Sequence, residues 1–209
     1  MVKNIEVAKK KLLGWYPRLE HDGFFNPTSE ETDEYNCIAW AMRLPDRRVE
    51  PVEGANSWWP LHGQREEDAM SQDSLIMAFN KVGFVVCEDN HNETFFDKVA
   101  LYCQPDDREN DDGWTHAARI LNANEYHSKA GESYDFHHGN GVRLLYNPYR
   151  PLYSYGHIYA YMKRPKYKRL CSYWLRFIKL VKDFCDECLD LFEQLKIKYK
   201  RIQDSYRFY

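Results

Sequence analysis

Two residues of the chain, Cys37 and His116, have the types and positions that covalent catalysis requires. Cys37 lies in YNCIAWAMRL (35–44), whose Ala, Met and Leu residues favour a helix, with Asn36 as its N-cap and Pro45 as its end. At the first turn of a helix, the dipole and the free N–H groups stabilise a thiolate and can hold an oxyanion. The alternative is that Cys37 is a small core residue, as free cysteines usually are.

His116 supplies the second half of such a site. It stands at the start of a predicted strand, WTHAARIL (114–121), directly after a polar loop. A base at the mouth of a strand can face a nucleophile at a helix N-terminus, and a residue on the adjacent strand can fix the orientation of the base. A histidine by itself would more often be a polar strand-end residue. The combination with Cys37 favours the catalytic interpretation.

The elements that must position these two residues form an α+β pattern. Residues 3–13 and 68–81 are predicted as helices, in addition to the helix that carries Cys37. Runs rich in β-branched and aromatic residues predict the strands, at 84–87, 98–103, 114–121, 125–131 and 156–164. Helices come first and consecutive antiparallel strands come late, which is not an alternating βαβ order.

Five short motifs carry a resemblance to a protein family. They are YNCIAWA (35–41), WWP (58–60), THAAR (115–119), SKAG (128–131) and YGHIYAYMKRP (155–165). Together they resemble an uncharacterised bacterial domain family, over roughly residues 20–165. That family in turn resembles, more distantly, the NlpC-like and other papain-like cysteine hydrolases, in which a helix-borne Cys packs on an antiparallel sheet and a His opens a later strand.

The resemblance implies a role for each matching residue. Cys37 becomes the nucleophile and His116 the general base. The third member of the site, a polar residue on the following strand that orients the histidine, falls near Ser128. His127 and His138 are rivals for that position.

Four residues are predicted to contact a substrate. Tyr35 matches an upstream tyrosine that often lines such sites, and Asn36 is adjacent to the nucleophile. Trp58 and Trp59 could stack on a substrate, although two tryptophans in a loop more often anchor that loop on the core.

The predicted reaction is hydrolysis or acyl transfer at an amide or ester bond. Peptides, isopeptides, peptidoglycan-like amides and glutamine side chains all remain candidate substrates. One alternative is a catalytically inactive binding or scaffold protein on the same fold, and another is a secreted effector or toxin.

No cofactor and no metal site is predicted. Asp135, His137 and His138 are too close together and lack a distant fourth ligand, so they are expected to form an exposed polar turn before Gly139. The acidic loop 106–112 lacks the spacing of an EF-hand calcium site. The phosphate-binding motifs G-x-x-x-x-G-K and G-x-G-x-x-G do not occur.

The composition changes after Pro165, which predicts a papain-like domain over 1–165 and a helical extension over 166–209. The extension carries eleven Lys/Arg against six Asp/Glu and is expected to be a solvated helix rather than a nucleic-acid site. Its apolar residues follow an a/d row of period 3.5 from Leu170 to Leu195, which predicts one long helix from about residue 168 to 203.

Such a helix would be about 50 Å long, longer than a small domain is wide. It must therefore fold back or meet a partner, most simply a second copy of the chain. A membrane-surface role ranks lower, because acidic residues interrupt its middle.

The cellular location is predicted from absent signals. The N-terminal residues MVKNIEVAKKKLLGWYP contain no apolar run of signal-peptide length, and no stretch of about 18 apolar residues occurs. The 6 cysteines are therefore expected to be mostly reduced thiols in the cytoplasm.

Overall fold

The computed structural model describes residues 4–51, 57–104, 113–140, 145–147, 149 and 154–166. The chain divides into two units, Met1–Pro165 and Lys166–Tyr209, and every element below belongs to the first. The predicted C-terminal helix and the acidic loop 106–112 lie outside the described residues. Within the described residues, no helix has the length and apolar character needed to cross a membrane.

The described elements are, in chain order, α1 (Ile5–Trp15), β1 (Asn26–Pro27), α2 (Cys37–Met42), β2 (Arg48–Val49), β3 (Ser57–Trp58), α3 (Glu66–Ala69), α4 (Gln72–Lys81), β4 (Val85–Cys87), β5 (Phe96–Cys103), β6 (Trp114–Asn122), β7 (Glu125–Lys129), β8 (Asp135–Gly139) and β9 (His157–Pro165). A short 3₁₀ turn, Pro17–His21, follows α1.

Seven of the strands form one sheet. Its order is β1-β8-β7-β6-β5-β9-β4, and each neighbouring pair is antiparallel. β2 and β3 form a separate parallel pair. The prediction of an α+β fold with consecutive antiparallel strands is confirmed.

The helix predicted over 68–81 is divided into α3 and α4. Ser71 separates them, because its hydroxyl accepts the backbone N–H of Ser74 at 3.2 Å and so caps a new helix. The apolar periodicity runs through both pieces and therefore did not reveal the break.

Two apolar clusters cover the two faces of the sheet. On one face, which we call the α2 face, Leu101 and Ala117 pack with Cys37 and Ile38 of α2. On the other face, which we call the α1 face, α1 packs with Ala100, Ala118, Tyr126 and Phe136. Because side chains alternate along a strand, neighbouring residues of β6 and β7 serve different faces.

The predicted polar turn at Asp135, His137 and His138 is wrong. These residues form β8, which pairs with β7 on one side and with β1 on the other. Asp135 and His138 are buried. The two pairings explain this burial, because β8 is covered on both edges, whereas the polar composition suggested solvent exposure.

Candidate active site

Helix α2 starts where its sequence predicts. The Asn36 side chain accepts the backbone N–H of Ala39 at 3.0 Å, and its amide donates to the carbonyl of Val49 at 2.9 Å. These bonds cap the helix and tie its first turn to the β2 strand, so that Cys37 becomes the first helical residue. Asn36 is therefore a structural residue in this state, and its side-chain groups are engaged within the protein.

The Cys37 sulfur lies among backbone N–H groups. Those of Ala117, Ile38 and Cys37 itself favour its thiolate form. Burial outweighs them and raises the pKa of the Cys37 thiol to about 11. The Cys37 side chain is consequently a neutral thiol at physiological pH.

His116 is buried at the N-terminal end of β6. Its ring stacks on Tyr155 with 3.8 Å between the ring centroids and 5° between the planes, and it meets Tyr102 edge-on at 5.3 Å. The His116 Nε2 atom lies 2.9 Å from the Ser128 hydroxyl oxygen. The Nδ1 atom has no hydrogen-bond partner among the described residues. Burial lowers the pKa of His116 well below its usual value, so the ring is neutral.

Cys37 and His116 approach this end of β6 from two sides. The His116 ring lies with Tyr102 on the α1 face, whereas α2 packs on the opposite face. Electrostatic interactions nevertheless connect the sulfur with groups on both faces. The charge of Lys129, on the α2 face, lowers the pKa of Cys37, and Cys37 raises the pKa of Tyr155, on the α1 face. The structure thus brings thiol and imidazole to the same strand end without a hydrogen bond between them.

The pairing of β6 with β7 accounts for this arrangement. Its register runs from Arg119 opposite His127 to Asn122 opposite Glu125. Ala117 lies before this paired stretch, so its N–H faces the Cys37 sulfur. The Cys37 side chain of α2 thereby lies beside the start of β6.

Ser128 and His138 join His116 on the α1 face. The Ser128 hydroxyl oxygen is 2.7 Å from Nε2 of His138, and Nδ1 of His138 is 2.7 Å from the carbonyl oxygen of Gly139. All three side chains are buried. Of the two predicted rivals, Ser128 is the one that contacts His116, and His138 contacts Ser128 from behind.

His127, the other rival, belongs to the opposite face. Its Nε2 lies 2.7 Å from the Thr28 hydroxyl, and its ring meets Trp40 edge-on at 4.9 Å. Successive residues of β7 point to alternate faces, so His127 cannot share the position of Ser128.

The predicted substrate residues have different environments. The Tyr35 hydroxyl donates to Asp135 at 2.7 Å, and the ring is buried. Trp59 is buried and stacks on Trp114 at 6.1 Å, so it anchors its loop on the core. Trp58 is only partly buried, and the guanidinium of Arg47 lies over its ring at 5.7 Å. Only Trp58 of these side chains keeps substantial exposure.

Lys129 is a residue of this site that sequence reasoning missed. Its ammonium group donates to the carbonyls of Thr32 at 2.9 Å and Ser133 at 2.7 Å, and it lies 3.7 Å from Asp135. The side chain is completely buried, and its charge favours the thiolate of Cys37. The signal was present in SKAG, because the residue that follows Ser128 on a strand points to the opposite face, on which α2 packs.

Tyr155 is the second residue that was missed. Besides covering the His116 ring, Tyr155 packs against the ring of Tyr16, with 5.4 Å between the ring centroids. Gly131, the last residue of SKAG, has a positive φ of 55°, which glycine adopts without strain. It thereby permits the turn that follows β7.

The region that holds these residues matches a known protein family. Residues 26–163 match the family described as Domain of unknown function (DUF7689), and this span includes β1 to most of β9. The chain belongs to this family. Every candidate site residue described above except Tyr16 lies inside the DUF7689 domain. No curated protein and no solved structure matches the chain.

A metal centre has no support in the described part of the DUF7689 domain, where no group of three or more His, Cys, Asp or Glu side chains is placed to hold an ion. The three residues considered for one are directed to other partners. Tyr35 donates to Asp135, Glu125 contacts His137 at 2.7 Å, and Ser128 contacts His138.

Proposed function

We propose that this DUF7689 domain is a cysteine hydrolase or acyltransferase of papain-like, NlpC-like plan, acting on an amide or ester bond. Cys37 is the nucleophile, His116 the general base and Ser128 the residue that orients the base. One observation carries the proposal: His116 is hydrogen-bonded through Nε2 to Ser128, its buried Nδ1 has no hydrogen-bond partner among the described residues, and the Cys37 sulfur lies beside the N–H of the next residue, Ala117. These observations support the nucleophile–base–orienter logic of covalent catalysis.

The order of elements supports the papain-like plan. The nucleophile opens helix α2, the base lies near the start of β6, and the orienting residue lies on the next strand, β7. The helix packs directly on an antiparallel sheet. Ser128 replaces the His, Asn or Gln that usually orients the base in such hydrolases, and His138 stands behind it.

Both reacting groups are neutral at rest, which favours a general-base mechanism over a preformed ion pair. Because α2 and the His116 ring pack on opposite faces of the sheet, side-chain rotation at the end of β6 must first bring the sulfur to Nδ1 of His116. As the sulfur then attacks the substrate carbonyl carbon, its proton passes to Nδ1 and the carbonyl oxygen takes the electron pair. The N–H groups of Cys37 and Ile38 are near enough to the sulfur to stabilise that oxyanion. His116 then protonates the leaving amine or alcohol as the tetrahedral intermediate collapses to a thioester.

The thioester is resolved by a second attack. Water, or another acceptor with an O–H or N–H group, gives its proton to His116 as it attacks the thioester carbonyl. The sulfur leaves and recovers a proton from the imidazolium. Water yields a hydrolase and an amine or alcohol acceptor yields an acyltransferase, so the acceptor alone separates the two activities.

A second candidate function is a binding or scaffold protein on the same fold. The burial of the site favours it: His116 is 0% exposed, Cys37 is 7% exposed, and Tyr155 covers the imidazole. In this case Cys37 would be a core thiol and the His116 contacts would stabilise the sheet. The predicted association through the 166–209 extension would then provide the function.

Acylation by p-nitrophenyl acetate separates the two functions. The full chain is treated at neutral pH, and the acetylated cysteine is located by peptide mapping under conditions that preserve thioesters. We expect a thioester on Cys37, formed faster than any on Cys87 or Cys103. An unmodified Cys37 in folded protein, with Cys87 acetylated, would favour the scaffold function.

A further inference from the structure

Ser128 stands between two imidazole rings and contacts the same atom of each. Its hydroxyl oxygen lies 2.9 Å from Nε2 of His116 and 2.7 Å from Nε2 of His138. The β7–β8 register pairs Ser128 with Phe136, which places His138 diagonally beside Ser128 on the same face. The hydroxyl has a single proton, so it can donate to only one of the two rings and must accept an N–H from the other if both contacts are hydrogen bonds.

A backbone carbonyl decides the direction. Nδ1 of His138 is 2.7 Å from the carbonyl oxygen of Gly139, which can only accept a hydrogen bond. Nδ1 of His138 therefore carries the proton, and Nε2 of the same neutral ring is left as an acceptor. Ser128 donates its hydroxyl proton to that nitrogen. Its oxygen then accepts the N–H at Nε2 of His116.

The position of the proton on Nε2 of His116 determines the state of Nδ1, the other nitrogen of the same ring. A neutral imidazole carries one proton, so an N–H at Nε2 leaves Nδ1 of His116 with a lone pair. Nδ1 is also the buried atom for which no described residue provides a hydrogen-bond partner. The ring is thus held in the tautomer that can accept a proton at Nδ1.

Neutrality of both rings is required for this ordering. Burial lowers the pKa of His138 to about 4 and that of His116 well below its usual value. Two titratable neighbours also act on His138. The carboxylate of Asp22 raises the pKa of His138, and the imidazole of His137 lowers it. Asp22 also accepts the N–H of Gly139 at 2.6 Å. This bond holds in place the residue whose carbonyl oxygen contacts Nδ1 of His138.

We propose that His138 is a positioning residue that acts through Ser128 to fix the tautomer of His116, leaving its Nδ1 unprotonated and ready to serve as base. The catalytic purpose of this device rests on the proposed function. The tautomer does not, and it can be measured in the protein without any substrate.

Nitrogen-15 NMR of the histidine side chains in the full chain tests the proposal at pH 7.5. The signals are assigned with variants that each replace one histidine. We expect an N–H at Nε2 and an unprotonated Nδ1 in His116. In H138F, Ser128 loses its acceptor and is free to donate to Nε2 of His116, so the His116 proton moves toward Nδ1. In H138Q, the side-chain carbonyl can still accept from Ser128, and the original tautomer is expected to persist.

S128A provides a smaller change that leaves both rings in place. Removing the hydroxyl is expected to give a mixture of His116 tautomers.

The rate of Cys37 acetylation should fall about 100-fold in H138F and recover to within about tenfold of wild type in H138Q. The H138F and H138Q pair distinguishes positioning from simple packing, because a purely structural role would not follow the capacity to accept a hydrogen bond.

Two results would overturn the inference: a proton on Nδ1 of His116 in the wild-type protein, or an unchanged His116 tautomer in both folded H138F and S128A. If the tautomers change as expected while Cys37 is never acetylated, the tautomer device stands and the proposed hydrolase function fails. Failure of the two ideas is therefore distinguishable in one set of samples.

Discussion

In the described part of the chain, two cysteine–histidine pairs differ in how the histidine is held. In one, Cys103 on β5 faces His157 on β9, with the sulfur 3.4 Å from Nε2 of an exposed ring. In the other, His116 is buried and joined to Ser128, and no hydrogen bond connects it to Cys37. Judged by distance alone, the first pair would be the better catalytic dyad.

The contacts of each ring reverse that judgement. Among the described residues, Cys103 is the only hydrogen-bond partner of the His157 ring, which can therefore change tautomer and rotate toward solvent. The His116 ring is stacked, buried and hydrogen-bonded at one nitrogen. A catalytic base needs a defined free nitrogen, and of the two rings only that of His116 has partners that define one.

The largest difference between the pairs is expected when each base is removed. H116Q should slow the acetylation of Cys37 by p-nitrophenyl acetate by about 10²–10⁴-fold, because the thiol loses its proton acceptor. H157Q is the matched control and should leave Cys37 acetylation unchanged. Quantitative peptide mapping gives both rates, and thermal unfolding checks that the variants are folded. Equal effects of H116Q and H157Q would remove the distinction between the two pairs.

The pH dependence of direct alkylation sharpens the same distinction. Because burial raises the pKa of Cys37 to about 11, its thiolate fraction should grow about tenfold per pH unit from pH 7 to 10. The rate of Cys37 modification by iodoacetamide should rise in parallel and reach no plateau in that range. A plateau below pH 8 would instead indicate a preformed thiolate–imidazolium pair. Cys87 in the same sample reports on the chemical reactivity of the reagent.

Acid stability should also depend on the buried histidines. The unfolded chain binds a proton at His138 near pH 6.5, whereas the folded pKa is lowered to about 4. Full stability is therefore present above pH 6.5 and is lost as pH falls toward 4, by about 3 kcal/mol from this residue. Denaturant unfolding from pH 7.5 to 4 measures the loss.

In that experiment, H138Q should reduce the loss by about 3 kcal/mol because glutamine does not titrate, and the part that comes from His116 should remain. A wild-type curve that stays flat between pH 6.5 and 4.5 would contradict the burial of neutral imidazoles.

The smallest expected effect concerns the charge beside the nucleophile. K129M should slow Cys37 acetylation about threefold, since the thiolate-like sulfur loses a nearby cation. K98M is the matched control: Lys98 is also buried and ion-paired, but its charge acts on Cys87. The double variant K129M/D135N removes the unpaired carboxylate that K129M leaves buried. If K98M slowed Cys37 as much as K129M, the lysine effect would not be local.

The parts of the fold that the sequence predicted are those set by local patterns. Asn36 caps α2 as expected, and the WTHAARIL and EYHSKAG runs form the paired strands β6 and β7. The position of Ser128 beside His116 came from the resemblance together with this hairpin. Each of these features depends on neighbours close in the sequence.

The parts that could not be predicted depend on contacts between distant segments. β8 resembles a polar turn until β1 and β7 cover both of its edges. The link from Ser128 to His138 follows from the β7–β8 register, which no periodicity specifies. That a loop tryptophan would anchor on the core was the alternative favoured by the sequence, but its partner, Trp114, is distant in the chain. The face of the sheet from which Cys37 arrives is likewise set by the packing of α2.

An experimental structure of the full chain with an acetyl or carbamidomethyl group on Cys37 tests the central claim most directly. The quantity to measure is the distance from the Cys37 sulfur to Nδ1 of His116, because catalytic contacts tighten when a reacting group is bound. We expect Nδ1 to face the sulfur at hydrogen-bonding distance, with Nε2 still on Ser128. A sulfur and an imidazole that remain separated by the backbone of β6, with Nδ1 directed away from the sulfur, would contradict the proposed nucleophile–base pair.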